Sequence, residues 1–151
     1  MKHRIIRLTL IVVGTLFIFK FILIPVRISG QSMEPNYHNG GFVFVNRLPY
    51  FRHAPSRGDV VAIRLSGTSM MYLKRIIGLP GEVLEIKKGV VLINSSPLQE
   101  SYIIERDEWQ IEPIMLAPGE YYVIGDNRRM PSDGHLFGRV ENKRIIGRAL
   151  W

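Results

Sequence analysis

The feature that most constrains this chain is its N-terminal apolar run. From Ile5 to Ile24 the sequence reads IIRLTLIVVGTLFIFKFILI, with Arg7 and Lys20 as its only charges. At 1.5 Å per residue such a helix measures about 30 Å, the thickness of a bilayer's hydrocarbon core. Arg7 and Lys20 lie near its ends, where long side chains snorkel to the headgroups. Pro25 is the predicted stop. Lys2, Arg4 and Arg7 precede the apolar core, which predicts a cytoplasmic N-terminus and an extracytoplasmic remainder. A cleavable signal peptide is the alternative, but it requires a shorter apolar region and a small-x-small site. Ile24-Pro25-Val26-Arg27-Ile28 offers no such site. The expected layout is a cytoplasmic tip and single-pass transmembrane anchor over 1–27, then an extracytoplasmic domain over 28–151, at the cell membrane.

Charge follows the same division. The chain has 20 Lys plus Arg against 13 Asp plus Glu, a formal net charge of +7. Five of the basic residues (Lys2, Arg4, Arg7, Lys20 and Arg27) precede Ile28, where there is no acid, so the remainder carries 15 against 13, or +2. The excess reads as an orientation signal rather than the footprint of a nucleic-acid binder, and no nucleic-acid partner is expected. The absence of Cys excludes a disulfide framework, a Cys-ligated metal and a Cys nucleophile. With 46% hydrophobic and 22% charged residues the chain has material for a packed core. No metal and no organic cofactor is expected, and nothing in the sequence bears on oligomeric state.

Beyond Ile28, short β-rich runs alternate with turn signals, which predicts an all-β domain. The predicted strands are 42–46, 60–65, 70–77, 83–87, 90–93, 121–125 and 145–150. Lys87-Lys88-Gly89 in the middle of 83–93 marks the best hairpin. Glu100 to Glu112 reads as an acidic surface excursion with Trp109 as its packing anchor. Phe42, Phe44, Leu48, Tyr50 and Phe51 are expected mainly in the core, with a membrane-facing role as the alternative.

Three segments carry chemistry. The first is Ile28-Ser29-Gly30-Gln31-Ser32-Met33-Glu34-Pro35. A Ser in a Gly-flanked loop is a nucleophile only if a base takes its proton. His3 is on the cytoplasmic side, and His38, His53 and His135 sit in polar loops, so no Ser-His-Asp arrangement is suggested. Lys74 is the alternative base. In a strand, Met70, Tyr72, Lys74 and Ile76 share a face while Arg75 points the other way. Apolar neighbours lower a Lys pKa, and a base working near neutrality needs a drop of roughly 3 units. Taken alone, Lys74 reads more readily as a snorkelling edge residue. The third segment, Gly125-Asp126-Asn127-Arg128, follows the run Tyr121-Tyr122-Val123-Ile124 and is by itself ordinary turn chemistry.

Together, Ser-Met-x-Pro at 32–35, Arg-Gly-Asp-Val-Val at 57–61, Tyr-Leu-Lys-Arg-Ile-Ile-Gly-Leu-Pro-Gly-Glu at 72–82 and Gly-Asp-Asn-Arg at 125–128, behind one N-terminal anchor, resemble the type I signal (leader) peptidases. The resemblance runs from about Val26 to Gly147. It implies a mostly antiparallel β-fold of the signal peptidase type, with Ser32 as nucleophile and Lys74 as general base. It makes Gly30 and Met33 part of the oxyanion and pocket region, and Ile28, Tyr72 and Leu73 the lining of shallow sites for small side chains. Arg75, Asp126, Asn127, Arg128 and Asp133 would support the Lys74 strand. Pro131 stands where the family pattern has a Ser near the Lys, with Ser132 one position late as the candidate replacement. Gly30 stands where some members carry a hydroxyl, so Gly30→Ser is expected to be tolerated.

The implied activity is a Ser-Lys endopeptidase that removes signal peptides from exported preproteins, with those signal peptides and membrane lipid as partners. Ser32 lies seven residues past Pro25, within about 25 Å of the membrane even if fully extended. Two readings stay open beside it. One is a dedicated maturation protease for a single exported precursor; the other is a membrane-tethered β-domain that binds peptides without cutting them.

Overall fold

The computed structural model describes residues 2–64, 71–134 and 138–150. Its elements in chain order are the helix α1 (Lys2–Phe21), β1 (Leu23–Arg27), β2 (Phe42–Asn46), the short helix α2 (Pro49–Arg52), β3 (Val60–Arg64) and β4 (Met71–Gly78). They continue with β5 (Val83–Lys87), β6 (Val90–Ile93), β7 (Ser96–Pro97), β8 (Ile111–Met115), β9 (Glu120–Ile124), β10 (Gly138–Glu141) and β11 (Ile145–Leu150). The strands form a seven-stranded sheet of order β1-β2-β11-β3-β4-β9-β10 and a four-stranded sheet of order β7-β6-β5-β8. The pairings are antiparallel. The expected mainly-β, antiparallel class is therefore the observed one.

Helix α1 is 20 residues long, and its side chains are exposed. It stops four residues short of Pro25. Leu23 to Arg27 instead form β1, which pairs with β2 from Leu23↔Asn46 to Arg27↔Phe42. The β-sheet thus begins ahead of Ile28, and Pro25 sits in an edge strand, where its missing N–H costs no ladder bond. No described helix is long and apolar enough to cross a membrane. Each 18-residue window within α1 carries three basic residues, drawn from Lys2, Arg4, Arg7 and Lys20.

The alternation in β2 puts Val43 and Val45 inside and Phe42 (73% exposed) and Phe44 outside. Leu48 and Phe51 (86% exposed) are also on the surface. The expectation of a core role thus fails for these four. Both faces of β2 are apolar, and only the valines meet the sheet's packed side. Tyr50 is half-buried, its hydroxyl donating to Asp59 at 2.9 Å.

The β5–β6 hairpin turns on Lys88 and Gly89, at φ +47° and +73°. Positive φ at both central residues is the tight-turn geometry that matches strand twist. A shared core of Ile77, Leu84, Ile86, Trp109, Leu116 and Ile124 joins the ends of β4 and β9 to the second sheet. Gly78 makes that approach possible, because a Cβ there would lie 2.7 Å from Leu116 Cδ1 and 2.9 Å from Tyr122 Cβ. Trp109 packs here as expected, but residues 111–115 pair with β5 as a strand instead of continuing a surface excursion.

Candidate active site

Ser32 sits in the connection between β1 and β2, a loop fixed at several points. Ile28 N–H donates to Gly41 O at 2.8 Å, and Gly40 N–H to Ile28 O at 2.9 Å. Met33, buried in a cluster with Ile28, Val43 and Val60, anchors the loop from beneath. Asn127 clamps it from the side, its backbone N–H donating to Ser32 O and its side-chain amide to Gln31 O, each at 3.0 Å. Asn36 adds a further tie, donating to Asp126 Oδ2 at 2.9 Å and to Tyr102 O at 3.0 Å.

Lys74 comes from the middle of β4, paired with Val61 of β3. Its side chain is 2% exposed, and Nζ is hydrogen-bonded to Ser32 Oγ at 2.6 Å. Burial lowers the Lys74 pKa to about 8, against a smaller upward pull from the Asp126 carboxylate. About a tenth of Lys74 is therefore neutral at pH 7, and a neutral Nζ can accept the Ser32 proton. Tyr72 and Ile76, on the face expected for Lys74, belong with a core of Val61, Ile63 and Val123. Met70 and Leu65 lie outside the described residues.

Arg75 is buried as well, 8% exposed. Its Nε and Nη2 grip Asp126 at 2.8 and 2.5 Å, Nη1 donates to Gly58 O at 2.8 Å, and the guanidinium lies 4.0 Å from the Tyr102 ring centroid. Arg128 pairs with Glu100, whose carboxylate also accepts from Tyr102 OH at 2.9 Å. Asn36, Glu100 and Tyr102 were not legible as site residues. Only the position of Asn36, four residues past Ser32, hinted at its place. Glu100 reads as surface because Arg128, the guanidinium that holds it, arrives from 28 residues away.

Ile28, Gly30, Met33, Tyr72 and Leu73 line one small cleft with Ser32 and Lys74, as do Val26 and Met71. The cleft holds about 30 Å³, room for one or two water-sized groups. Met71 to Lys74 pair with β3 on one side, whereas β9 joins β4 only from Arg75 onward. One edge of Met71–Lys74 is therefore open to an extended peptide among the described residues.

Two expectations change. Gly30 N–H donates to Asn39 Oδ1 at 3.0 Å and so is already engaged, whereas Ser32 N–H has no recorded partner among the described residues. Gly30 also has φ +98°, a conformation that L side chains resist. Ser132 is exposed in the turn Ser132–Gly134 and makes no recorded hydrogen bond to Lys74. The serine that comes one position late thus stays on the surface. The Asp133 side chain and His135 fall outside the described residues.

Comparison with known proteins gives one answer. The family model described as signal peptidase, peptidase S26, matches residues 1–151. A Synechocystis sp. protein named "Probable signal peptidase I-1" is 31% identical over 99% of this chain and 81% of its own length. Signal peptidase I of Leptolyngbya laminosa is 35% identical over 82% of this chain and 64% of itself, and signal peptidase I S of Bacillus subtilis is 34% identical over 90% and 79%. The crystal structure of a signal peptidase I from Enterococcus faecalis superposes with a TM-score of 0.52 at 27% identity, covering 64% of this chain and 97% of that one.

Proposed function

The chain belongs to the signal peptidase family, peptidase S26, and from that premise we propose that it is a membrane-anchored serine endopeptidase cleaving signal peptides from exported preproteins by a Ser32/Lys74 dyad. The observation that carries the reading is the 2.6 Å contact between Ser32 Oγ and a buried Lys74 Nζ. Neutral Lys74 takes the Ser32 proton as Oγ attacks the carbonyl before the scissile bond. The tetrahedral oxyanion accepts a hydrogen bond from Ser32 N–H. Lys74 then protonates the departing amine, leaving an acyl-Ser32, and next takes a proton from the water that hydrolyses it. Substrate lies extended along the open edge of Met71–Lys74, and the 30 Å³ cleft admits only a small side chain beside Ser32.

The membrane part of the proposal rests on α1. From Leu8 to Phe19 the helix is apolar on all sides and exposed, the pattern of a helix buried in lipid. Arg7 and Lys20 bracket that stretch and snorkel outward. Phe44, whose ring centroid lies 6.1 Å from that of Phe19, continues the apolar surface onto the β-domain. The N-terminus lies in the cytoplasm and the dyad outside.

Cleavage of a preprotein in detergent tests the dyad. Ser32→Ala and Lys74→Ala are each expected to reduce kcat/KM by at least about 10³-fold, and wild-type activity is expected to climb with pH through about 8. Retained cutting by either variant would sink the dyad. Normal folding of an inactive wild type that still binds signal peptides would favour the peptide-binding reading. Release of the protein from membranes by alkaline carbonate would remove the anchor.

A further inference from the structure

Two clefts lie along the nucleophile loop, one lined by Ser32 and the other by Glu34 and Pro35, and they differ in size by more than tenfold. Beyond the 30 Å³ cleft that Ser32 shares with Lys74, a groove of about 520 Å³ opens where the nucleophile loop continues. Its walls include Glu34, Pro35, Ile104, Asn127, Met130 and Pro131. Asn127 joins the two sites physically, since it holds the carbonyls of Gln31 and Ser32 and also lines the groove. A substrate whose acyl side fills the small cleft must carry its leaving side past Ser32 in the other direction. Along the nucleophile loop the small cleft is lined from Val26 to Met33 and the groove by Glu34 and Pro35, so the groove begins where the cleft ends; its volume is in the range that binds small ligands or several extended residues.

Its chemistry is specific. Ile104 is 75% exposed at the groove, and Pro35, Met130 and Pro131 give it apolar walls. Three charges line it. Arg129 Nε is paired with Glu105 at 2.9 Å, whereas Glu34 has no cationic partner among the described residues; its carboxylate meets only the Asn39 N–H, at 3.5 Å. The groove thus carries one uncompensated negative charge, two residues from the nucleophile.

We propose that this groove binds the first residues of the mature protein, on the leaving side of the scissile bond, and that Glu34 makes it prefer basic over acidic residues there. The inference rests on the signal peptidase reading and adds to it a second determinant of specificity, distinct from the small cleft.

The test uses the full chain in detergent and substrates sharing one signal peptide. Two continue into five mature residues bearing either Lys or Glu, and a third ends in a small chromogenic amine. Each rate on a long substrate is divided by the rate on the chromogenic one, so that changes in the dyad cancel. Wild type is expected to favour the Lys substrate by about two- to fivefold in kcat/KM, the size of an exposed charge pair. Glu34→Lys is expected to reverse that ratio and Glu34→Gln to abolish it. Ile104→Ser, at an exposed side chain, is expected to lower the rate on both long substrates relative to the chromogenic one. An unchanged Lys/Glu ratio in both Glu34 variants, or an Ile104→Ser variant that treats long and short substrates as wild type does, would overturn the groove proposal. A wild type that cuts none of the three would instead overturn the signal peptidase reading.

Discussion

Strands β4 and β5 follow one another in the chain and both bury aliphatic side chains, yet they treat charge differently. Beside Ile76 and Ile77, β4 takes Lys74 and Arg75 out of water, while β5 buries Leu84 and Ile86 in an apolar core and pairs its one buried charge, Glu85, with the exposed Lys87. The β5 region follows the ordinary logic of hydrophobic burial. Around β4 the fold accepts desolvated charge, and every such group there is tied to a neighbour: Arg75 to Asp126, Arg128 to Glu100, Lys74 to Ser32. The contrast teaches that the first sheet spends stability on the constellation proposed as reactive, while the second sheet supplies apolar packing.

The sharpest way to break this comparison is Asp126→Ala. It leaves the Arg75 guanidinium buried without its carboxylate and removes one of the two hydrogen bonds by which Asn36 ties the nucleophile loop to the rest of the domain. Removing one partner of a buried pair costs about 3–5 kcal/mol. Denaturant unfolding should show that loss, and preprotein cleavage should fall with it. A stability change under 1 kcal/mol would mean that the pair is not a structural tie.

Leu84→Ala probes the other side. Leu84 is fully buried between the sheets, and the cavity it leaves should cost about 2–5 kcal/mol. Because Leu84 belongs to a different cluster from Val61, Tyr72 and Ile76 around Lys74, the midpoint of the pH–rate profile should stay where it is in wild type. A shifted midpoint would show that second-sheet packing tunes the base directly.

Lys74 itself gives a smaller effect of opposite sign. Its folded pKa is about 8 against 10.5 for an unperturbed Lys. Between those values the unfolded chain holds a proton that the folded chain has released, so stability rises with pH over that window and is flat below it. The rise amounts to about 3 kcal/mol. Lys74→Met should abolish that pH dependence. At pH 7 it should be more stable than wild type by about 2 kcal/mol, after the lost Ser32 hydrogen bond is counted, although it is inactive. Parallel unfolding curves at pH 7 and pH 11 test this; equal stability of the two proteins at pH 7 would mean that Lys74 carries no desolvation cost.

These effects also mark what the sequence could reveal. β2, β5, β6 and β11 were legible at their observed bounds, and β3, β4 and β9 nearly so, because their residues are β-branched or aromatic and face a core. The strands that escaped were β1, β7, β8 and β10. Three of them carry a proline (Pro25, Pro97 and Pro113), and all four lie at an edge of a sheet. An edge tolerates a missing N–H and needs no two-sided apolar pattern, so it leaves a weak sequence signal. In the site, Ser32 and Lys74 were identified from the combined motifs rather than from either residue alone. Glu100, Tyr102 and Asn36 were missed because their roles depend on partners distant in sequence, which no local periodicity encodes.

Gly30 offers the finest test of how the nucleophile loop differs from an ordinary turn. From sequence, Gly30→Ser is expected to be tolerated or to help slightly, because it adds a hydroxyl where some family members carry one at the oxyanion hole. In the structure nothing lies within 4 Å of a Cβ at this position, so space is no obstacle, but φ is +98°. A non-Gly residue held there costs about 1–3 kcal/mol, and any relaxation of φ would pull Gly30 N–H away from Asn39. Gly30→Ser should therefore unfold at a lower denaturant concentration than wild type. Gly30→Ala carries the same strain without the hydroxyl, so the ratio of kcat/KM between Gly30→Ser and Gly30→Ala isolates the hydroxyl's contribution. We expect both variants to be destabilised equally and the serine variant to cut faster. A serine variant as stable as wild type would show that the loop adopts other backbone conformations at no cost, and the distinction drawn between a rigid nucleophile loop and a free turn would fall.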